Sequence, residues 1–463
     1  MMEAITNKAA RQTGRGLTIR NMSVLLLLTL FLVAGGVFAK KTFWRASEGF
    51  AAKDSSVQPA SCRFVLAPRM SVDTAIDREI QQQQAVIMKS GSPAATAFER
   101  LGWLFVKKAR LSFDAGFYKL AEQCAACLEG RGASGPDTLL LRAHVLQSLH
   151  HFSAAETVAR ELVKLRERPF DYGVLGDILI DQGKLHEGAA AYQQMVDLRP
   201  DLQSYARAAH VRWLTGDLDG AIELMHLATT AGSPNDPEAA AWAFTRLALY
   251  QLQHGATKQA MQACDAALAL QSDYAPAMLA RGRVLLALNR PTEAVVELRR
   301  AVNLNPLPEY QWTLADALTL EGDRNHAAEL DSQIGERSTE DPRTISLFLA
   351  TRQIDVERAV QLAEQELTNR GDVFTLDALA WALAVAGRAS EAQQYSNKAL
   401  SQGTNDPRLY LHAGVIAALN HDTRQAERWL QKAAATQQLL LPCERTQLDG
   451  WRQKVAAKIQ PPH

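Results

Sequence analysis

The sequence is short of almost everything that marks an enzyme or a nucleic-acid binder. Basic and acidic residues each number 50 in 463, so the net charge is zero. Without a basic excess nothing points to nucleic acid or to an acidic lipid surface. Five cysteines, an odd and sparse set, give no disulfide framework. Cys124 and Cys127 form a CxxC, but inside a helical stretch. A redox pair belongs at a helix N-terminus, where the dipole lowers the thiol pKa. No second pair follows at zinc spacing, so the motif reads as buried helix packing. The eleven histidines make no HExxH, and there is no GxSxG, P-loop or GxGxxG. No metal, no cofactor and no catalytic residue are expected.

Long apolar runs are also scarce; there is one. Residues 1–22 carry Lys8, Arg11, Arg15 and Arg20 against the single acid Glu3, and Ser23 to Ala39 follow without a charge. Seventeen residues lie at the short limit for a bilayer span and slightly above a usual signal core. Two readings stay open. Lys40-Lys41 suit the flank of an uncleaved anchor, and Val37-Phe38-Ala39 suits a cleavage site. Both place the rest of the chain outside the cytoplasm if the N-terminal cations stay inside. Residues 40–70, with Ser55-Ser56 and Pro59, read as a linker. Val72, Ile76, Ile80 and Ile87 then open a helical pattern.

What the chain has in abundance is a repeat. Tyr172 to Pro200 reads as two short helices broken at Gln182-Gly183. Gly176 lies on the first helix, Gly188 on the second, and Pro200 ends the unit. The small residue of the second helix recurs at Ala121, Ala155, Gly188, Ala221, Ala260, Ala294, Ala327, Ala359, Ala392 and Ala426, with gaps of 34, 33, 33, 39, 34, 33, 32, 33 and 34. Twelve residues earlier come Ala143, Gly176, Ala209, Ala248, Gly282, Ala315, Ala380 and Gly414. Small side chains at this spacing let paired helices approach closely, while bulkier neighbours fill the rest. Asp236-Pro237, Asp341-Pro342 and Asp406-Pro407 offer an N-cap followed by a first-turn proline.

This unit resembles the tetratricopeptide (TPR) repeat, a helix-turn-helix of 34 residues. The resemblance implies an all-α fold, a right-handed α-solenoid of about ten units over residues 71–434, with a C-terminal cap over 435–463. Three departures stand out. The gap of 39 predicts a longer loop around Gly232–Pro237, and Leu347 and Glu366 replace small contacts in the eighth unit. Leu101-Gly102 sits seven residues early for Ala121, which predicts a longer first helix in unit one.

In TPR arrays the first helices line a concave groove. If this chain matches, Asp177, Asp181, His210, Trp213, Trp242, Arg283, Trp312, Asp316, Phe348, Arg352 and Trp381 face inward. The tryptophans are the candidate anchors, because indole buries much area and still donates a hydrogen bond. The alternative for each is packing between neighbouring first helices. The carboxylate clamp of chaperone-binding arrays is not matched, since Leu140, His144, Gly173 and Asp177 stand at its positions. The resemblance implies a non-enzymatic scaffold that takes a protein partner, as an extended peptide or a helix, in the groove, and residues 23–39 put that scaffold outside the cytoplasm. A cell-envelope assembly or export factor and an accessory subunit of an envelope enzyme remain as alternatives. The oligomeric state is not specified by these features.

Overall fold

A computed structural model describes residues 59–67, 74–90, 93–336 and 341–459. The basic tail, the apolar run 23–39 and the linker as far as residue 58 lie outside the described residues, as do the expectations that rest on them. The described residues contain twenty-three α-helices, one 3-10 turn and no strand. None of these helices is long and apolar enough to cross a membrane.

Two helices, α1 (Ala60–Leu66) and α2 (Ala75–Lys89), precede the array. Ten pairs follow: α3 (Ala95–Ser112) with α4 (Gly116–Gly130), α5 (Pro136–Ser148) with α6 (Phe152–Leu165), α7 (Pro169–Asp181) with α8 (Leu185–Leu198), α9 (Leu202–Leu214) with α10 (Leu218–Thr230), and α11 (Pro237–Gln253) with α12 (Thr257–Leu270). Then come α13 (Ala275–Ala287) with α14 (Pro291–Leu304), α15 (Pro308–Glu321) with α16 (Arg324–Glu336), α17 (Pro342–Arg352) with α18 (Val356–Asn369), α19 (Val373–Val385) with α20 (Ala389–Leu400), and α21 (Pro407–Leu419) with α22 (Thr423–Ala435). A 3-10 turn at Gln437–Leu439 and α23 (Pro442–Ile459) complete the chain. The fold is an all-α solenoid of ten helix pairs.

The caps act as the sequence requires. The carboxylates of Asp236, Asp341 and Asp406 accept from the amides of Ala239, Thr344 and Arg408 at 3.3, 3.1 and 2.8 Å. These bonds satisfy donors that a helix start leaves orphaned. The small residues lie where backbones meet. Ala155, Ala221, Ala260, Ala294 and Ala392 are fully buried. A Cβ on Gly176 would lie 2.3 Å from the Tyr192 ring, and one on Gly282 would lie 2.5 Å from Leu298.

The departures have physical causes. The first helix of unit one runs 18 residues, and a Cβ on Gly102 would lie 2.4 Å from Leu141. The insertion before unit five does not all go into the loop; α11 itself lengthens to 17 residues. In unit eight Ser346 makes the close contact instead of Leu347, and its hydroxyl donates to the Ala359 carbonyl at 2.7 Å.

The cysteine reading needs correction. Cys62 and Cys127 form a disulfide, which pins α1 to α4. Within the expected linker, therefore, Ala60–Leu66 is a helix with a fixed seat. Cys124 still behaves as a packing residue, fully buried, its Cβ 3.4 Å from where a Cβ on Gly102 would lie. The pairing was hidden because Cys62 is 65 residues away in a stretch with no periodicity.

The coil of the solenoid closes on itself. The turn inside unit three meets the loop entering unit nine, where a Cβ on Gly183 would lie 2.2 Å from the Gly371 carbonyl oxygen. The turn inside unit four meets the loop entering unit ten. There the Thr404 hydroxyl donates to the Leu214 carbonyl at 2.6 Å, and a Cβ on Gly216 would lie 2.5 Å from the Gly403 carbonyl oxygen. In unit two the guanidinium of Arg370 lies 5.1 Å from the Phe152 ring centre. The turns of units three and four therefore touch the chain six units later, Arg370 reaches back to unit two, and the groove narrows to a lumen.

Candidate functional site

The lumen is walled by first helices from unit four to unit ten. Its main cavity, about 290 Å³, lies among Trp213, Tyr250, Trp312 and Phe374, with Arg246, Arg283, Arg343 and Arg408 at intervals around them. The aromatic side is one continuous stack. Trp213 lies on Phe374 at 5.5 Å, on Tyr250 at 5.9 Å and on His210 at 5.6 Å. Its indole N–H donates to Gln253 at 2.7 Å.

Three of the four arginines have carboxylate partners. Arg283 pairs with Glu309 at 2.9 Å, Arg343 with Asp372 at 3.0 Å and Arg408 with Glu444 at 2.5 Å. Arg246 has no carboxylate partner among the described residues. It lies over Trp213 and Tyr250, 5.8 and 5.2 Å from their ring centres, a cation–π arrangement. His210 sits between burial and that charge. Burial first, and Arg246 second, push its pKa down to about 3, although Asp177 and Asp372 oppose. The ring is neutral at neutral pH.

The other groove candidates divide sharply. Trp312 is 2% exposed and meets Phe348 edge-on at 5.6 Å. Trp381 is also buried; it stacks on His412 at 4.3 Å and donates to Thr351 at 3.1 Å. Trp242 is exposed at the start of α11. Asp177 bridges units, accepting from Tyr192 at 2.7 Å and from Arg207 at 2.6 and 2.8 Å. Asp181 reaches across the seam to Arg370 at 3.5 Å. Arg352 binds Asp316 at 2.7 Å and Asp331 at 2.9 Å. Trp213, Arg283 and Trp312 come together at one cavity; Trp242 stands apart from it.

Sequence reasoning missed two contributors. One is Arg246, two residues before the small contact Ala248, at a repeat position not expected to face inward. The other is the C-terminal segment. It was expected to cover the last repeat, and α23 does lie on α22, with Leu448 and Val455 buried. The first turns of α23 and the 3-10 turn before it, however, cross four first helices. Gln438 donates to the Gln253 carbonyl at 2.6 Å and Arg445 to the Leu286 carbonyl at 3.3 Å. The Cys443 amide donates to Asp316 at 3.0 Å, and Gln447 donates to the Thr351 carbonyl at 3.0 Å. Glu444 answers Arg408, and Leu439 and Leu441 line the cavity. The signal in the sequence was Leu439-Leu440-Leu441, an apolar run too bulky for a solvent-facing terminus. No group of three His, Cys, Asp or Glu that could hold a metal occurs among the described residues.

With the pairs, the small contacts and the lumen in place, the comparisons with known proteins can be set beside them. Tetratricopeptide repeat family models match residues 172–202 and 251–318. These are tetratricopeptide repeats. No curated protein sequence matches the chain. Among solved structures the TPR chain is similar to yeast Tom70, at 14% identity over 83% of this chain and 92% of that one, with a TM-score of 0.36. It is similar to human IFIT1, solved as a dimer with PPP-AAAA, at 12% identity over 79% and 95%, with a TM-score of 0.44. It is also similar to a tetratricopeptide repeat protein from Parabacteroides merdae, at 14% identity over 55% and 98%, with a TM-score of 0.32.

Proposed function

We propose that this TPR chain is a non-enzymatic protein-interaction scaffold that works outside the cytoplasm. Residues 23–39 deliver it there or hold it at the membrane. Its partner contributes a peptide segment to the first-helix face. One observation carries the reading: that face already holds a peptide, the chain's own residues 437–448. Four first helices bind it through carbonyls and a carboxylate. The bound segment is a 3-10 turn running into a helix, so the contacts are those a groove offers to a short helical peptide. The partner segment takes the place of the tail.

The Cys62–Cys127 disulfide supports the location, because such bonds persist in oxidising compartments. A reporter fused after residue 60 should register as extracytoplasmic. Denatured native protein should expose three reactive thiols, those of Cys124, Cys264 and Cys443. Five reactive thiols and a cytoplasmic reporter would overturn the location.

For the partner, the full-length chain is immobilised and challenged with solubilised membranes. A synthetic peptide of residues 437–448 should release what is captured. The Arg445→Ala variant, with a loosened tail, should capture more. If the peptide does not compete and Arg445→Ala captures no more, the partner docks on the convex face or the loops.

A further inference from the structure

We infer that the lumen cavity is a binding site for a small organic anion, a carboxylate or phosphate carried on a flat unsaturated body. The inference is separate from the partner reading above and rests on unmatched donors. Trp312 lines the cavity and is 2% exposed, yet its indole N–H has no hydrogen-bond partner among the described residues. The Nε of Arg283, buried at the same wall, has none either. Arg246 donates only to the Tyr250 hydroxyl, at 3.3 Å, and faces no carboxylate. A buried donor left unmade costs free energy, so two of them around one space, with the Arg246 guanidinium beside them, mark the place of an absent acceptor.

The acceptors already present are committed. Asp377 pairs with His412 at 2.8 Å, and Asp406 caps α21 through the Arg408 amide. Glu309 and Glu444 hold Arg283 and Arg408. None is free to answer Arg246. The ligand must therefore bring the negative charge. The body of the ligand follows from the rings that line the same cavity. Trp213 and Phe374, at an interplanar angle of 17°, and Tyr250 beside them bring aromatic surface to the cavity next to the guanidinium. Flat anions suit such a site, because the arginine binds the charged end while the rings cover the body. A cavity of about 290 Å³ takes a small molecule, not a folded chain.

The test uses the full-length protein and four probes: phenyl phosphate, benzoate, the neutral benzamide, and inorganic phosphate. Tryptophan fluorescence and the midpoint of thermal unfolding are read against probe concentration. At least one aromatic anion should quench fluorescence saturably and raise the midpoint; benzamide and inorganic phosphate should do neither at the same concentration. Arg246→Gln should weaken that binding about tenfold or more, the loss of one charge-assisted contact. Arg246→Lys should recover part of it. If Arg246→Gln does not fold, Trp312→Phe keeps the ring and removes the donor, and it too should bind more weakly. No saturable response to either aromatic anion overturns the inference. So does an equal response to benzamide or inorganic phosphate, or undiminished binding by the folded variants.

Discussion

Trp312 and Trp381, on the first helices of units seven and nine, stand at inward-facing repeat positions; so do Trp213 and Trp242, on units four and five. The first two are buried against neighbouring first helices, Trp312 on Phe348 and Trp381 on His412, though Trp312 also reaches the cavity. Trp213 opens onto the lumen, and Trp242 lies in solvent. The same contrast runs through the turns. Gly183 and Gly387 both hold a left-handed conformation, at φ 76° and 79°. Around Gly183 the next coil is in contact, whereas nothing lies within 4 Å of a Cβ on Gly387. A repeat position fixes direction, and the next coil of the solenoid decides whether that direction is core or surface.

The largest effect should separate the tryptophans. Trp312→Ala removes a fully buried side chain and should cost about 3–5 kcal/mol. Trp242→Ala should stay within about 0.5 kcal/mol, as exposed substitutions do. Chemical unfolding of both variants checks the contrast. Similar losses would mean that unit seven is no more enclosed than the start of unit five.

The glycine turns should separate next. Alanine at Gly387 must only bear the left-handed conformation, about 1 kcal/mol. Alanine at Gly183 must also push the Gly371 backbone away, and a loss of about 2–4 kcal/mol is expected. Equal losses would show that the coils do not touch at this seam.

Overpacking within a unit should come close behind. Ala392 is fully buried where α19 and α20 meet, so Ala392→Leu should destabilise by about 1–3 kcal/mol. A neutral outcome in equilibrium unfolding would place the helix contact elsewhere.

The pairs, their small contacts and their caps were legible because each is local. Alanine or glycine at a helix crossing leaves a mark every 32 to 39 residues, and an Asp-Pro start leaves one too. What the sequence hid depends on partners far along the chain. Cys62 reaches Cys127, Gly183 meets Gly371, and the Leu439–Leu441 run folds under units five to eight. No periodicity records these meetings, since they depend on how tightly the solenoid coils. The candidate site was legible in part for the same reason. Trp213, Arg283 and Trp312 could be named by repeat position. Arg246 and the tail could not.

The smallest effect concerns His210, which lies on the lumen side of this contrast. Its ordinary pKa is 6.5, and burial with the Arg246 charge pushes it down to about 3 in the folded chain. Above pH 6.5 both folded and unfolded states hold a neutral ring, and the group adds no pH dependence. Below that the unfolded chain binds a proton that the folded chain refuses. Stability is therefore lost as pH falls from 6.5 towards 3. The slope from this residue averages about 1 kcal/mol per pH unit between pH 7 and pH 5, under the full value because the unfolded ring is only partly protonated near pH 6.5. His210→Gln removes the titration and leaves every other group in place. The stability difference between wild type and variant should thus move against the wild type by about 1–2 kcal/mol between pH 7 and pH 5. Urea unfolding at the two pH values measures it. A difference that does not change with pH would mean that His210 is freely protonated. The lumen at unit four would then be open to water, as unenclosed as the surface around Trp242.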